Sequence, residues 1–159
     1  MPSPLKVGDA APAFSVPGHD ENTVALADFK GRNIVLFFFP KSDTSGCTKE
    51  ALAFSALRSA FDAADTAILG VSADAPAMQA RFRTKYQLDL AFAADEKHQI
   101  LEPYGVWIEK SMYGRKYWGV ERATFLIDRA GIITHIWRNV KVPGHAEEVL
   151  AAAQAVNRK

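Results

Sequence analysis

The chain has 159 residues, 19 Lys and Arg against 18 Asp and Glu, a formal net charge of +1, and a composition that is 48% hydrophobic and 23% charged. That length accommodates one domain with a sizeable core and is short for two, so a single domain over residues 1–159 is expected. The near-neutral charge gives no electrostatic reason to expect nucleic acid or an anionic membrane as partner, and no apolar run is long enough to span a bilayer.

In chain order, residues 13–16 and 23–26 suit a short hairpin across Pro17-Gly18-His19-Asp20. The strongest apolar run, Ile34-Val35-Leu36-Phe37-Phe38-Phe39, reads as a buried strand. A helical pattern follows over residues 47–64, with Phe54, Leu57 and Phe61 on one side. A strand is expected over 67–72, then a helix from Pro76 carrying Met78 and Phe82, then a short strand over 90–93. The second half predicts a short helix over 97–104 and an irregular aromatic, Gly-containing stretch to Gly119. Strands over 123–128 and 132–137 flank Arg129-Ala130-Gly131, a hairpin signal, and a last amphipathic helix follows Pro143-Gly144. Strand–helix–strand followed by hairpin–helix gives an α/β fold with a mixed central sheet flanked by helices, the layout of a thioredoxin-like fold.

Cys47, the only cysteine, falls in the first turn of the helix that follows the apolar strand. Unpaired backbone N–H groups and the helix dipole favour a thiolate there, although a free cysteine is as often an inert buried hydrophobe. One cysteine excludes an internal disulfide and a multi-cysteine metal site. His19, His98, His135 and His145 show no metal-ligand spacing, so no metal and no cofactor are expected. The segment Met1-Pro2-Ser3-Pro4-Leu5-Lys6 lacks the pattern of a signal peptide, and a cytoplasmic location is expected. The Lys110–Trp118 stretch mixes basic and aromatic residues, but without a wider basic face it reads as an ordinary loop.

Pro40-Lys41-Ser42-Asp43-Thr44-Ser45-Gly46-Cys47 resembles the peroxiredoxin active-site signature. Further blocks, Gly46 to Ala51, Tyr113 to Lys116, Gly119 to Asp128 and Trp137 to Ala146, are similar to the bacterioferritin comigratory protein branch, also called peroxiredoxin Q. The resemblance implies a peroxidase in which Cys47 is the nucleophile, Thr44 donates to a peroxide oxygen, Arg122 stabilises thiolate and leaving oxygen, and Pro40 shields the site. Glu50, one helical turn beyond Cys47, either holds an arginine in place or is an ordinary surface carboxylate. Apart from the resemblance, Arg122 reads as a surface ion pair with a neighbour such as Glu121.

Many members of that branch carry a second, resolving cysteine five residues on or on the following helix. This chain has Leu52 at the first position and no cysteine on the second. A sulfenic acid on Cys47 therefore has no partner thiol within the chain, and the resemblance implies a one-cysteine mechanism with an external reductant: thioredoxin, glutaredoxin or glutathione. The expected state is a monomer or weak homodimer. Alternatives from other classes are a peroxide sensor, a binding or holdase module with an inert thiol, and a cysteine hydrolase pairing Cys47 with His135 or His145.

Overall fold

The computed structural model describes residues 5–158, so the stretch from Met1 to Pro4, on which much of the leader expectation rests, lies outside the described residues. The elements run β1 (Ser15–Pro17), β2 (Thr23–Ala25), β3 (Asn33–Phe38), α1 (Ser45–Ala56), α2 (Arg58–Ala63), β4 (Thr66–Ser72), α3 (Pro76–Lys85), β5 (Ala91–Ala94), β6 (Trp107–Met112), β7 (Arg115–Val120), β8 (Ala123–Ile127), β9 (Ile133–Trp137) and α4 (His145–Asn157). A five-stranded sheet in the order β5-β4-β3-β8-β9 forms the centre, and β1-β2 and β6-β7 are separate antiparallel pairs. Strand β3 is parallel to β4 and antiparallel to β8, which makes the sheet mixed.

The position of β3 explains why its sequence shows no polar alternation. A strand covered on both faces needs apolar residues at every position. Ile34, Leu36 and Phe38 enter one core, with Phe14, Leu101 and Tyr104, whereas Val35, Phe37 and Phe39 enter the other. That second core receives buried apolar side chains from α1, α2, α3 and α4, among them Phe54, Phe61, Phe82 and Val149. The parallel pairs β3-β4 and β4-β5 require crossovers, which α1-α2 and α3 supply.

Three segments differ from the sequence expectation. The helix expected over 47–64 breaks at Leu57 (φ −98°, ψ 6°), where the Ser55 hydroxyl accepts the Asp89 N–H at 2.8 Å and Arg58 donates to the Asp89 carbonyl at 3.0 Å. The junction is thereby tied to the approach to β5, while the apolar spacing runs on as if unbroken. Residues 97–104 form successive turns instead of a helix. The buried Asp95 carboxylate accepts the N–H groups of Gln99, Ile100 and Leu101, each at 2.8 Å, but His98 at φ +61° interrupts the helical backbone. The stretch before Gly119 contains the hairpin β6-β7, which turns through Tyr113 (φ 53°) and Gly114 (φ 79°), the two positive values a type I′ connection requires. Its faces are largely exposed, so no apolar alternation marks it.

Candidate active site

The turn between β3 and α1 is fastened on both sides. After the half-buried Pro40, the Asp74 carboxylate accepts the Ser42 N–H at 2.8 Å and the Ser42 hydroxyl at 2.7 Å. Asp43, at φ +63°, accepts from Lys85 Nζ at 2.8 Å and from the Tyr86 hydroxyl at 2.5 Å. Those two donors hold its carboxyl below the usual carboxylate range. Thr44 is the N-cap of α1 and has extended backbone. Its carbonyl accepts the Thr48 N–H at 2.8 Å, and its hydroxyl donates to the Lys41 carbonyl at 2.8 Å, away from the helix.

Cys47 lies in the first turn of α1 and is 1% exposed. Arg122 reaches it from the short link between β7 and β8, where the Arg122 carbonyl accepts the Val140 N–H at 3.0 Å. The guanidinium divides its donors: Nη1 donates to Glu50 Oε1 at 2.7 Å, and Nη2 donates to Cys47 Sγ at 3.4 Å. Cys47 and Glu50 are three residues apart on a helix and so face the same way, which lets one planar fork serve both. Glu50 is 1% exposed. Burial pushes its carboxyl up to about 7, although Arg122 pulls the other way through charge and hydrogen bond. Glu50 Oε2 has no hydrogen-bond partner among the described residues. Burial also works against the charge of Arg122, but Cys47 and Glu50 together raise its pKa above the usual value.

Thus Cys47, Glu50 and Arg122 meet in direct contact, Thr44 caps the helix that carries two of them, and Pro40 stands at the end of β3. The surface alternatives for Glu50 and Arg122 do not hold. Glu50 is buried, and Glu121 accepts from Arg138 at 2.9 Å. Gly46 and Lys110 had no individual role in the sequence reading. A Cβ on Gly46 would stand 3.1 Å from Arg122 Nη2, so the absence of a side chain there lets the guanidinium approach. Lys110 is half-buried on β6, and burial with the repulsion of Arg122 lowers its pKa. Only the hairpin, invisible in the sequence, brings it near.

The histidines are engaged in packing. His145 begins α4, lies 2.8 Å from the Thr124 hydroxyl through Nε2, and meets Phe54 and Trp137 edge-on. Burial lowers its pKa. The His135 ring stacks on Trp137 with centroids 5.4 Å apart. Among the described residues no group of three or more His, Cys, Asp or Glu is placed to hold a metal ion, and no helix is long and apolar enough to cross a membrane.

Residues 7–136 match the model of the AhpC/TSA family. The chain is 41% identical over 146 residues to the putative peroxiredoxin bcp of Coxiella burnetii, covering 92% of this chain and 97% of that one. It is 38% identical over 155 residues to peroxiredoxin Bcp of Bacillus subtilis, covering 98% and 99%. Among solved structures, a mutant of Xylella fastidiosa PrxQ superposes with a TM-score of 0.91 at 33% identity, over 97% of this chain and 98% of that one. The bacterioferritin comigratory protein of Xanthomonas campestris gives 0.86 at 36% identity, over 91% and 92%. A buried thiol bonded by an arginine, on a fold shared along its whole length with these relatives, makes the chain a member of the AhpC/TSA family, a one-cysteine peroxiredoxin of the Bcp or peroxiredoxin Q branch that acts as a thiol-dependent peroxidase.

Proposed function

We propose that this chain, as one domain, reduces hydrogen peroxide and organic hydroperoxides through Cys47 with the roles that follow. The observation that carries the assignment is the Arg122 fork, which bonds Glu50 and Cys47 at once. The Cys47 thiolate attacks one peroxide oxygen, the O–O bond breaks, and the other oxygen departs as hydroxide or alkoxide and takes up a proton. Cys47 is left as a sulfenic acid. Negative charge moves from sulfur to the departing oxygen, and a guanidinium fixed at the sulfur stabilises it throughout without reorganising. Glu50 positions Arg122. The Thr44 hydroxyl exchanges its bond to the Lys41 carbonyl for one to a peroxide oxygen, and Pro40 limits water access.

Since there is one cysteine, the sulfenic acid is reduced by an external thiol, for which thioredoxin, glutaredoxin and glutathione are the proposed sources. The proposed setting is the cytoplasm and the proposed state a monomer or weak homodimer. Stopped-flow tryptophan fluorescence and intact mass test the assignment. One equivalent of peroxide should add one oxygen at Cys47 and excess peroxide a second, Cys47→Ser should abolish the reaction, and Arg122→Ala should slow it at least about a hundredfold, with Thr44→Val also slow. Peroxide turnover in Cys47→Ser would sink the assignment.

A further inference from the structure

A groove of about 690 Å³ opens between α3 and the turn that leads into the Cys47 helix, walled by Lys41, Asp43, Met78, Arg81, Phe82 and Lys85. Its charge is lopsided. Asp43 is the only carboxylate among its lining residues, and Lys85 and Tyr86 already occupy it. Lys41 and Arg81 are exposed and have no ion-pair partner among the described residues, which leaves two cations facing the opening. Met78 is an apolar member of the lining, with the core residue Phe82 behind it. The turn that carries Lys41 is held in place, since Ser42 is bonded to Asp74 and Asp43 to Lys85 of α3.

The groove is coupled to the active site through one bond: the carbonyl of Lys41 accepts the hydroxyl of Thr44, the cap of the helix that carries Cys47. Cys47 is 1% exposed, so a thiol reaches its sulfur only through a local movement at the site. Lys41, Ser42 and Asp43, which line the groove, belong to the turn that leads straight into the first turn of α1.

We propose that this groove binds a small thiol bearing carboxylates, of the kind represented by glutathione, and delivers it to oxidised Cys47; this rests on the external-thiol reading above and adds the site and the charge of the reductant. The two unpartnered cations complement an excess of carboxylate, and the volume admits a tripeptide. The bound thiolate attacks the sulfenic sulfur, the S–S bond forms, the S–O bond breaks, and hydroxide leaves and is protonated to water. A second thiolate then attacks the mixed disulfide, releasing the Cys47 thiolate and a small-molecule disulfide. Two thiols supply the two electrons that the peroxide received.

The test compares reagents of different charge on the full-length protein. Cys47 sulfenic acid, formed with one equivalent of peroxide, is mixed with glutathione or with uncharged 2-mercaptoethanol, and the ratio of the two rate constants is read. In parallel, reduced protein undergoes thiol–disulfide exchange with oxidised glutathione or bis(2-hydroxyethyl) disulfide, which requires no peroxide. In Arg81→Glu and in Lys41→Glu both ratios should fall by about tenfold or more, in Arg81→Lys they should stay within about threefold of wild type, and added salt should lower the wild-type ratios. Ratios unchanged by charge reversal overturn the proposal, as does an equal loss with charged and uncharged reagents. If peroxide forms no sulfenic acid but the exchange ratio falls, the groove stands and the peroxidase roles fail. If sulfenic acid forms and neither ratio moves, the reverse holds.

Discussion

Gly46 lies against Arg122 so closely that a Cβ at residue 46 would stand 3.1 Å from Nη2, the nitrogen that donates to Cys47. The guanidinium has little freedom to retreat, because Nη1 is bonded to Glu50 at 2.7 Å. Alanine favours helix over glycine by up to about 1 kcal/mol, so Gly46→Ala should leave the melting temperature unchanged or slightly higher. Displacing the donor by a few tenths of an ångström should nonetheless slow peroxide reduction by about tenfold. Thermal melting with stopped-flow fluorescence separates the two effects, and a wild-type rate would show that Arg122 is free to move.

Glu50 makes stability depend on pH. Its folded-state pKa is raised from 4.5 to about 7, chiefly by burial, so the native protein retains a proton that the unfolded chain has released within that window. Stability should therefore fall as pH rises from about 4.5 to about 7, with a contribution of roughly 3 kcal/mol from this group. His145, whose pKa burial lowers, acts with the opposite sign and costs stability as pH falls below 6.5. The informative quantity is thus the difference in urea-unfolding free energy between wild type and Glu50→Gln. It should vary across that window, and a constant difference would count against a protonated Glu50.

His145 should prove structural. Removing the imidazole leaves the buried Thr124 hydroxyl without this partner, so His145→Ala should cost about 1–3 kcal/mol of stability. Peroxide reactivity should change by less than a few fold in the folded protein, as Arg122 and Cys47 keep their contact. A loss of a hundredfold or more at unchanged stability would place the imidazole in the chemistry and revive a cysteine–histidine mechanism.

Access to Cys47 requires motion, since the sulfur is buried in the reduced protein. After oxidation, residues 45–50 should exchange backbone hydrogens faster than in the reduced state, while Ile34 to Phe38 in β3 stay protected. Equal exchange in the two states would mean that the reductant reaches the sulfur without unwinding the helix.

Much of the site is local in sequence and was legible there. An apolar run long enough for one strand, a proline and a cysteine at the start of the next helical pattern specify a strand–turn–helix by propensity and periodicity alone. The hairpin around Gly131 was equally readable, because its turn residues carry their own backbone preference, with Gly131 at φ 83°. What the residues could not supply without the family resemblance depends on long-range pairing. Arg122 lies 75 residues from Cys47 along the chain and meets it because β8 pairs with β3, the strand that leads into the cysteine turn. Glu50 becomes a buried anchor only once that pairing brings Arg122 over the helix. The break at Leu57, the turns after Asp95 and the hairpin β6-β7 were hidden for the same reason. Each is set by a partner elsewhere in the chain or by a positive φ at His98 or Tyr113, residue types whose identity does not announce it. The local chemistry of the cysteine turn was written in the sequence, and the arginine that completes it was placed by the sheet.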